Sequence, residues 1–123
     1  MAKKTSIKWL RKPEAQDYPA AMSFLRLTVD DRTARARVSA LKKAPMTEFK
    51  SKDIFRASGL SLLGVSNEHV EKDRRKIQLG HELSPLLLVR DPMHGRVIIA
   101  DGYHRLCAVY SLDEDAVIPC QIV

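Results

Sequence analysis

The spacing of hydrophobic residues changes along the chain, from helical spacing in the first third to short continuous apolar runs near the end. Ala34, Val38 and Leu41 recur at positions i, i+4 and i+7, which predicts the buried face of a helix. Asp30 or Asp31 can cap this helix, which is predicted to reach residue 43. The same reasoning predicts further helices over residues 19–27, 52–58 and 66–79, and an edge strand over residues 46–50.

The last 40 residues have the pattern of a buried sheet. Residues 86–89 and 97–100 are continuous apolar runs, as expected of strands that are covered on both faces. An Asp-Gly corner separates the second run from a helix predicted over residues 103–111, and a closing strand is predicted over residues 117–123. This order of elements predicts an α/β (α+β) fold in which helices pack around a small mixed sheet.

Composition narrows the class of protein. The chain has 123 residues, enough for one domain, and its 45% hydrophobic and 29% charged residues are typical of a soluble globular protein. No apolar run is long enough to cross a membrane, and no apolar segment follows the basic N-terminus, so neither membrane insertion nor secretion is expected. Two cysteines are too few for a disulfide framework. We therefore expect a cytoplasmic protein.

Positive charge is concentrated in the first third of the chain. Residues 1–43 have 11 basic and four acidic side chains, a net charge of +7, whereas residues 44–123 have ten basic and 11 acidic ones, a net charge of −1. We therefore predict a basic helical N-terminal extension over residues 1–43, frayed over residues 1–14, and a second unit over residues 44–123. Such an extension can bind nucleic acid or another acidic partner, and it can equally be a solvated helical face.

The residues best suited to bind a ligand follow the second apolar run. Asp101 and Gly102 end that strand where a helix begins, and the free backbone N–H groups of a helix N-terminus attract anions. His104 and Arg105 lie in the first turn, where positive charge is unfavourable unless an anion binds beside it. Arg105 can hold phosphate oxygens through two parallel hydrogen bonds. A structural alternative needs no ligand: Asp101 caps the helix and pairs with Arg105.

The sequence D-G-Y-H-R at residues 101–105 resembles the D-G-x-H-R signature of the ParB/sulfiredoxin-like superfamily, which includes ParB-like nuclease domains. The resemblance covers residues 66–123, whose predicted elements follow the order of that fold. It implies a nucleotide or phosphate pocket at the start of the signature helix, of the kind that binds CTP or ATP in the family. By position, Gly102, His104 and Arg105 correspond to the residues that contact phosphate.

Two departures from the family narrow what the resemblance implies. Sulfiredoxins have their catalytic cysteine where this chain has Tyr103, which disfavours peroxiredoxin repair. Partition proteins of the ParB type have a glutamate before a pair of arginines, where this chain has Tyr103 and His104, so site-specific partition binding is not expected. Tyr103 can instead stack on a nucleotide base or pack in the core.

These observations predict a nucleotide- or phosphate-binding protein. If it is an enzyme, we expect phosphoryl transfer or phosphodiester hydrolysis, with His104 as acid, base or phosphate donor. Arg105 would then stabilise charge, and Asp101 would orient His104 or bind Mg²⁺. A nucleoside triphosphate with Mg²⁺ is the candidate cofactor; no metal site of the protein's own is expected, and homodimerisation is left open. The alternative is a non-enzymatic DNA- or RNA-associated accessory protein. Besides the N-terminal extension, the candidate nucleic-acid contacts are Lys72, Arg74, Arg75 and Lys76.

Overall fold

The computed structural model describes residues 6–62 and 67–123. These residues form an α+β fold, as the hydrophobic pattern predicts, with five α-helices and six strands. A short 3₁₀ turn at Pro92–His94 joins two of the strands. The helices are α1 (Asp17–Leu25), α2 (Asp31–Lys43), α3 (Ser51–Ser58), α4 (Glu68–Gln78) and α5 (Tyr103–Leu112); the strands are β1 (Lys8–Trp9), β2 (Thr47–Lys50), β3 (Glu82–Leu83), β4 (Leu86–Asp91), β5 (Arg96–Asp101) and β6 (Val117–Ile122).

A four-stranded mixed sheet lies at the centre of the fold, in the order β2-β6-β4-β5. Strand β6 pairs antiparallel with β2 and parallel with β4, and β4 pairs antiparallel with β5. Strands β1 and β3 form a separate parallel pair. The predicted small mixed sheet is therefore confirmed, and the hairpin of β4 and β5 brings the end of β5 directly to α5.

Strand β4 is covered by helices on both faces of the sheet. Leu86 and Leu88 pack into a cluster with apolar residues of α3, α4 and α5. Leu87 and Val89 pack on the opposite face, against apolar residues of α1 and α2. Because successive side chains of a strand point to opposite faces, a strand buried in this way needs an apolar residue at every position. This explains the continuous apolar run.

The N-terminal extension packs on this second face. Ala34, Val38 and Leu41 of α2 are buried there, as their spacing predicts, and α1 adds Ala21 and Leu25. Packing of these two apolar faces on the sheet leaves the basic residues of α2 exposed. Those exposed residues are Arg32, Arg35, Arg37, Lys42 and Lys43.

The predicted fraying of the N-terminus is wrong for residues 8–10. Lys8 and Trp9 pair in parallel with Glu82 and Leu83, and the backbone N–H of Leu10 donates to the carbonyl of Leu83 at 2.8 Å. The partner strand β3 lies more than 70 residues away along the chain, so local sequence does not reveal this pairing. It anchors the segment that leads into α1.

Side-chain caps fix the starts of two helices. Asp30 accepts a hydrogen bond from the N–H of Thr33 at the start of α2, at 2.7 Å. Asn67 accepts from the first-turn N–H groups of α4. Ser66, the first residue of the helix predicted over residues 66–79, lies outside the described residues. Among the described helices, none combines the length and the apolar character needed to cross a membrane.

Candidate functional site

The corner between β5 and α5 requires a glycine. Gly102 has φ +106° and ψ +16°, a backbone conformation that side-chain-bearing residues rarely adopt. A Cβ atom at this position would lie 2.8 Å from Cγ of Leu86 and 2.9 Å from Nη2 of Arg105. The chain therefore turns from strand to helix with no space for a side chain at the turn. As a result, Gly102 and not Asp101 is the N-cap residue of α5, and no side chain at the cap accepts a hydrogen bond from the helix.

A cleft of about 170 Å³ opens at this corner. It lies between the first turn of α5, the α4 helix and the segment around β3. Its volume is below the roughly 300–1,000 Å³ typical of sites that enclose a whole small-molecule ligand, so it fits a group of the size of a phosphate. Besides residues 101–105, its polar lining consists of Glu14, Asp73, Lys76, Glu82 and Ser84.

Arg105 is held by two carboxylates at the base of this cleft. Its Nη2 atom lies 2.8 Å from Oδ2 of Asp101 and 3.8 Å from Oδ2 of Asp17. The Arg105 side chain is only 17% exposed, and its Nε is buried without a hydrogen-bond partner among the described residues. The pairing of Asp101 with Arg105 in the structural alternative is therefore present, whereas the capping by Asp101 is absent.

Asp17 and Ser84 belong to the same polar cluster. The Ser84 hydroxyl donates to the Asp17 carboxylate, and the backbone N–H of Glu14 donates to the Ser84 Oγ at 3.0 Å. Neither residue was predicted as part of the site. Asp17 is the first residue of α1 and Ser84 follows β3, so only the folded chain brings them together, and no local pattern marks them.

Burial raises the pKa values of two carboxyl groups at the cleft. For Asp101, burial is the main cause; the Arg105 guanidinium opposes it, and the neighbouring Asp17 carboxylate adds to it. For Asp73, burial again raises the pKa, against the positive charges of Lys76 and Arg105. Both carboxyl groups therefore take up a proton more readily than an exposed aspartate.

His104 lies in the first turn of α5, on the cleft. Its ring is 4.9 Å from the ring of His69, at an interplanar angle of 43°, so two imidazoles from two helices meet there. His69 was not a predicted site residue. The hydrogen bond of Asp101 is made to Arg105, so an orienting effect of Asp101 on His104 stays a prediction.

Tyr103 makes contacts with the protein itself. Its ring is partly buried against the core cluster on the α5 side of the sheet. Its hydroxyl donates to the carbonyl oxygen of Ser61. These contacts favour the packing alternative for this residue over stacking on a nucleotide base.

The four basic residues predicted on α4 have different partners. Arg74 donates to Oγ of Ser111 on α5 at 2.5 Å, and Lys76 lines the cleft. Arg75 lies 3.7 Å from a carboxylate oxygen of Glu71. Lys72 is exposed. Their role as nucleic-acid contacts stays a prediction.

The described residues contain neither a grouped set of metal-ligating side chains nor an exposed cysteine. Within residues 6–62 and 67–123, no three His, Cys, Asp or Glu side chains are grouped so that they could hold a metal ion. The Asp101 carboxylate is bonded to Arg105, so the described residues do not fit a protein-held Mg²⁺ site. Cys107 and Cys120 are buried, and burial raises the pKa of the Cys120 thiol to about 12, which opposes thiolate formation.

Comparison with known proteins adds no relative. No family model, no curated protein sequence and no solved structure matches this chain.

Proposed function

We propose that this protein binds a phosphate group, as present in a nucleotide, at the N-terminus of α5. The observation on which the proposal rests is that α5 begins at a glycine with no side-chain cap, and that its first turn lines a polar cleft. The backbone N–H groups of the first turn have no partner within their own helix, and the helix dipole adds partial positive charge at the same point. An anion in the cleft would satisfy both.

Two of the described helices, α2 and α4, begin with a side-chain cap, whereas α1, α3 and α5 do not. In α3 the first N–H groups donate instead to the carbonyl oxygens of Ala116 and Glu114. In α2 the side chain of Asp30 accepts from a first-turn N–H group, and in α4 the side chain of Asn67 accepts from two. Because Gly102 has no side chain, the equivalent donors of α5 are left to a ligand or to water. A phosphate has the charge and the acceptor oxygens that these donors require.

Two cationic or ionisable side chains flank the proposed phosphate position. His104 is on α5 and Lys76 is on α4, and both line the cleft. Imidazole can donate a hydrogen bond to a phosphate oxygen and can exchange a proton with it. The resemblance to the D-G-x-H-R signature supports the same assignment for His104. If the protein is an enzyme, His104 is the residue that we propose as acid or base in phosphoryl transfer or phosphodiester hydrolysis.

The experiment that tests this proposal is calorimetric titration with CTP, ATP, ADP and GTP, each with and without Mg²⁺. We expect micromolar binding of at least one nucleotide, and a loss of affinity of about tenfold or more in His104→Ala or Lys76→Ala, since each removes a charge-assisted contact. The matched control is His94→Ala, which removes an exposed histidine at the other end of β5. Absence of binding for all four nucleotides, or equal losses in His104→Ala and His94→Ala, would reject the proposal.

A second candidate function is binding of nucleic acid through α2. The favouring observation is that the apolar face of α2 packs on the sheet and leaves five basic side chains exposed on one helix. Phosphate-backbone binding of this kind weakens steeply as salt increases. Filter binding of duplex and single-stranded DNA and RNA over a salt series tests it, with Arg35→Ala and Lys42→Ala as variants. Binding that is absent, or that does not change with salt, excludes this function.

A further inference from the structure

One side chain of the N-terminal extension reaches the proposed phosphate site. The Asp17 side chain is 8% exposed, and its Oδ2 accepts a hydrogen bond from Ser84 and lies 3.8 Å from Nη2 of Arg105. The same Nη2 atom lies 2.8 Å from Oδ2 of Asp101. One guanidinium nitrogen therefore faces two carboxylates, one from α1 and one from the end of β5.

These contacts engage the charge of Arg105, a residue that lines the cleft. Its Nη2 atom lies so close to the corner that a Cβ on Gly102 would be 2.9 Å from it, and its side chain is 17% exposed. The guanidinium is thus held at the turn by the carboxylates of Asp17 and Asp101. A phosphate in the cleft has to compete with both carboxylates for the same donor groups.

The other charged residues that line the cleft do not compensate for the two carboxylates next to Arg105. Glu14, Asp73 and Glu82 add carboxylates to the cleft lining, and Lys76 adds an ammonium group. With Asp101 alone, the ion pair with Arg105 would be electrically neutral. Asp17 adds a second carboxylate to this pair, so a phosphate has to compete with both carboxylates for one guanidinium.

We propose that Asp17 is a positioning residue that restrains Arg105 and thereby lowers the affinity of the cleft for phosphate. This inference rests on the proposed function. Its consequence is that the N-terminal extension sets the anion affinity of the corner, although the extension lies outside the signature that marks the site. Ligands with their own positive charge are disfavoured less by this arrangement than bare anions.

The test compares the dissociation constant of inorganic pyrophosphate for the wild type and for Asp17→Asn, measured by calorimetry. Asparagine keeps the size of the side chain and an oxygen that accepts from Ser84, so the variant is expected to fold. We expect tighter binding by about three- to tenfold, because the charge of Arg105 becomes available to the ligand. In the Arg105→Gln background the same substitution should change the dissociation constant less than about twofold, since no guanidinium is left to release.

Asp31→Asn is the matched control. Asp31 is another aspartate of the extension, it also pairs with an arginine, at 2.9 Å from Nε of Arg26, and it is exposed and outside the cleft. Its substitution removes the same charge and should leave the dissociation constant unchanged. A purely structural role of Asp17 would lower the melting temperature without tightening pyrophosphate binding, so melting curves are recorded for every variant.

The outcomes separate the two proposals. If pyrophosphate and the nucleotides bind and His104→Ala weakens them, but Asp17→Asn brings no gain, only the role of Asp17 is overturned. The same holds if the gain persists in Arg105→Gln or also occurs in Asp31→Asn. Should Arg105→Gln fail to fold, the comparison of Asp17→Asn with Asp31→Asn decides alone. If neither the wild type nor Asp17→Asn binds pyrophosphate or any nucleotide, the proposed function and this inference both fall.

Discussion

The two ends of strand β5 are built from the same residue types and differ in their surroundings. Each end has an aspartate, a glycine in a left-handed conformation, a histidine and an arginine. The first end is the turn of the β4–β5 hairpin, and the second is the corner that starts α5. The residues are Asp91, His94, Gly95 and Arg96 at the hairpin, and Asp101, Gly102, His104 and Arg105 at the corner.

At the hairpin, the aspartate, histidine and arginine side chains pair with one another at the exposed surface. Nδ1 of His94 and Nε of Arg96 lie 2.9 and 3.1 Å from the same oxygen of Asp91. The two basic side chains are 61% and 54% exposed. A Cβ on Gly95 would meet no atom within 4 Å. A cavity of about 350 Å³ borders this end too, lined by Asp91, His94 and Arg96 together with apolar residues of the sheet and α1, but no α-helix begins there.

At the corner, the same residue types are more buried, and the arginine and the histidine have different surroundings. Arg105 is 17% exposed and shares its Nη2 between two carboxylates, while His104 faces the cleft at the uncapped end of a helix. The same residue types therefore occupy two different environments at the two ends of β5. Burial, and the helix that begins at the corner, distinguish the proposed phosphate site from an exposed ion-pair cluster.

The largest difference in stability between the two ends should appear when each glycine is replaced by alanine. Gly102→Ala places a Cβ 2.8 Å from Cγ of Leu86 at a φ of +106°, and it should cost about 2–5 kcal/mol of unfolding free energy through backbone strain and overpacking. Gly95→Ala meets only the left-handed strain and should cost about 1–2 kcal/mol. Urea unfolding of both variants measures the difference. Equal costs would mean that the corner is no more tightly packed than the hairpin.

The second largest difference in stability should appear when each of the two arginines is replaced by alanine. Arg105→Ala leaves the carboxylates of Asp17 and Asp101 next to each other without a counter-charge, and it should cost about 2–3 kcal/mol, less than for a fully buried pair because Arg105 is partly exposed. Arg96→Ala should have little effect, since exposed ion pairs contribute little to stability. Thermal melting at neutral pH checks this. A similar loss in both variants would contradict the restrained position of Arg105.

The smallest expected difference is in how the aspartate at each end makes stability depend on pH. Burial raises the pKa of Asp101, so its contribution to stability is present at low pH and is lost as the pH rises through its pKa. For Asp91, burial acts in the same direction, but hydrogen bonds from His94 and Arg96 lower the pKa, so its contribution is lost as the pH falls.

The two asparagine variants test these opposite signs. Relative to wild type, Asp101→Asn should cost more stability at low pH than at neutral pH, and Asp91→Asn should cost more at neutral pH. Urea unfolding between about pH 3 and pH 7 covers the range in which the two carboxyl groups are expected to titrate. Parallel pH profiles for the two variants would show that the two aspartates have the same environment.

Much of the fold follows from local patterns. The apolar run of β4, the i, i+4 spacing of α2 and the glycines that end α3 and start α5 each predict an element within a few residues of its observed bounds. These features are local, because the period of a helix or a strand and the conformational freedom of glycine act over a few residues. The mixed sheet follows from the order of the elements.

The polar cluster at the cleft depends largely on contacts between residues that are distant in sequence. Arg105 and Asp101 are four residues apart and their pairing is a local option that the sequence already presents. Asp17 and Ser84 reach the same point from elements about 70 residues apart, and the pairing of β1 with β3 is equally distant. Because these contacts depend on how α1 packs on the sheet, no short-range pattern identifies them. The pairing of Asp101 with Arg105 is predictable from the sequence, and the contact of Arg105 with Asp17 is not.

We propose that the first turn of α5 binds phosphate, and the shifts of its backbone amides on titration detect such binding residue by residue. We would titrate ¹⁵N-labelled protein with pyrophosphate and with the tightest nucleotide. We expect saturable shifts at the N–H groups of Tyr103, His104 and Arg105, with the hairpin amides of Gly95 and Arg96 unchanged. Shifts confined to α2, or no saturable shift at the start of α5, would contradict it.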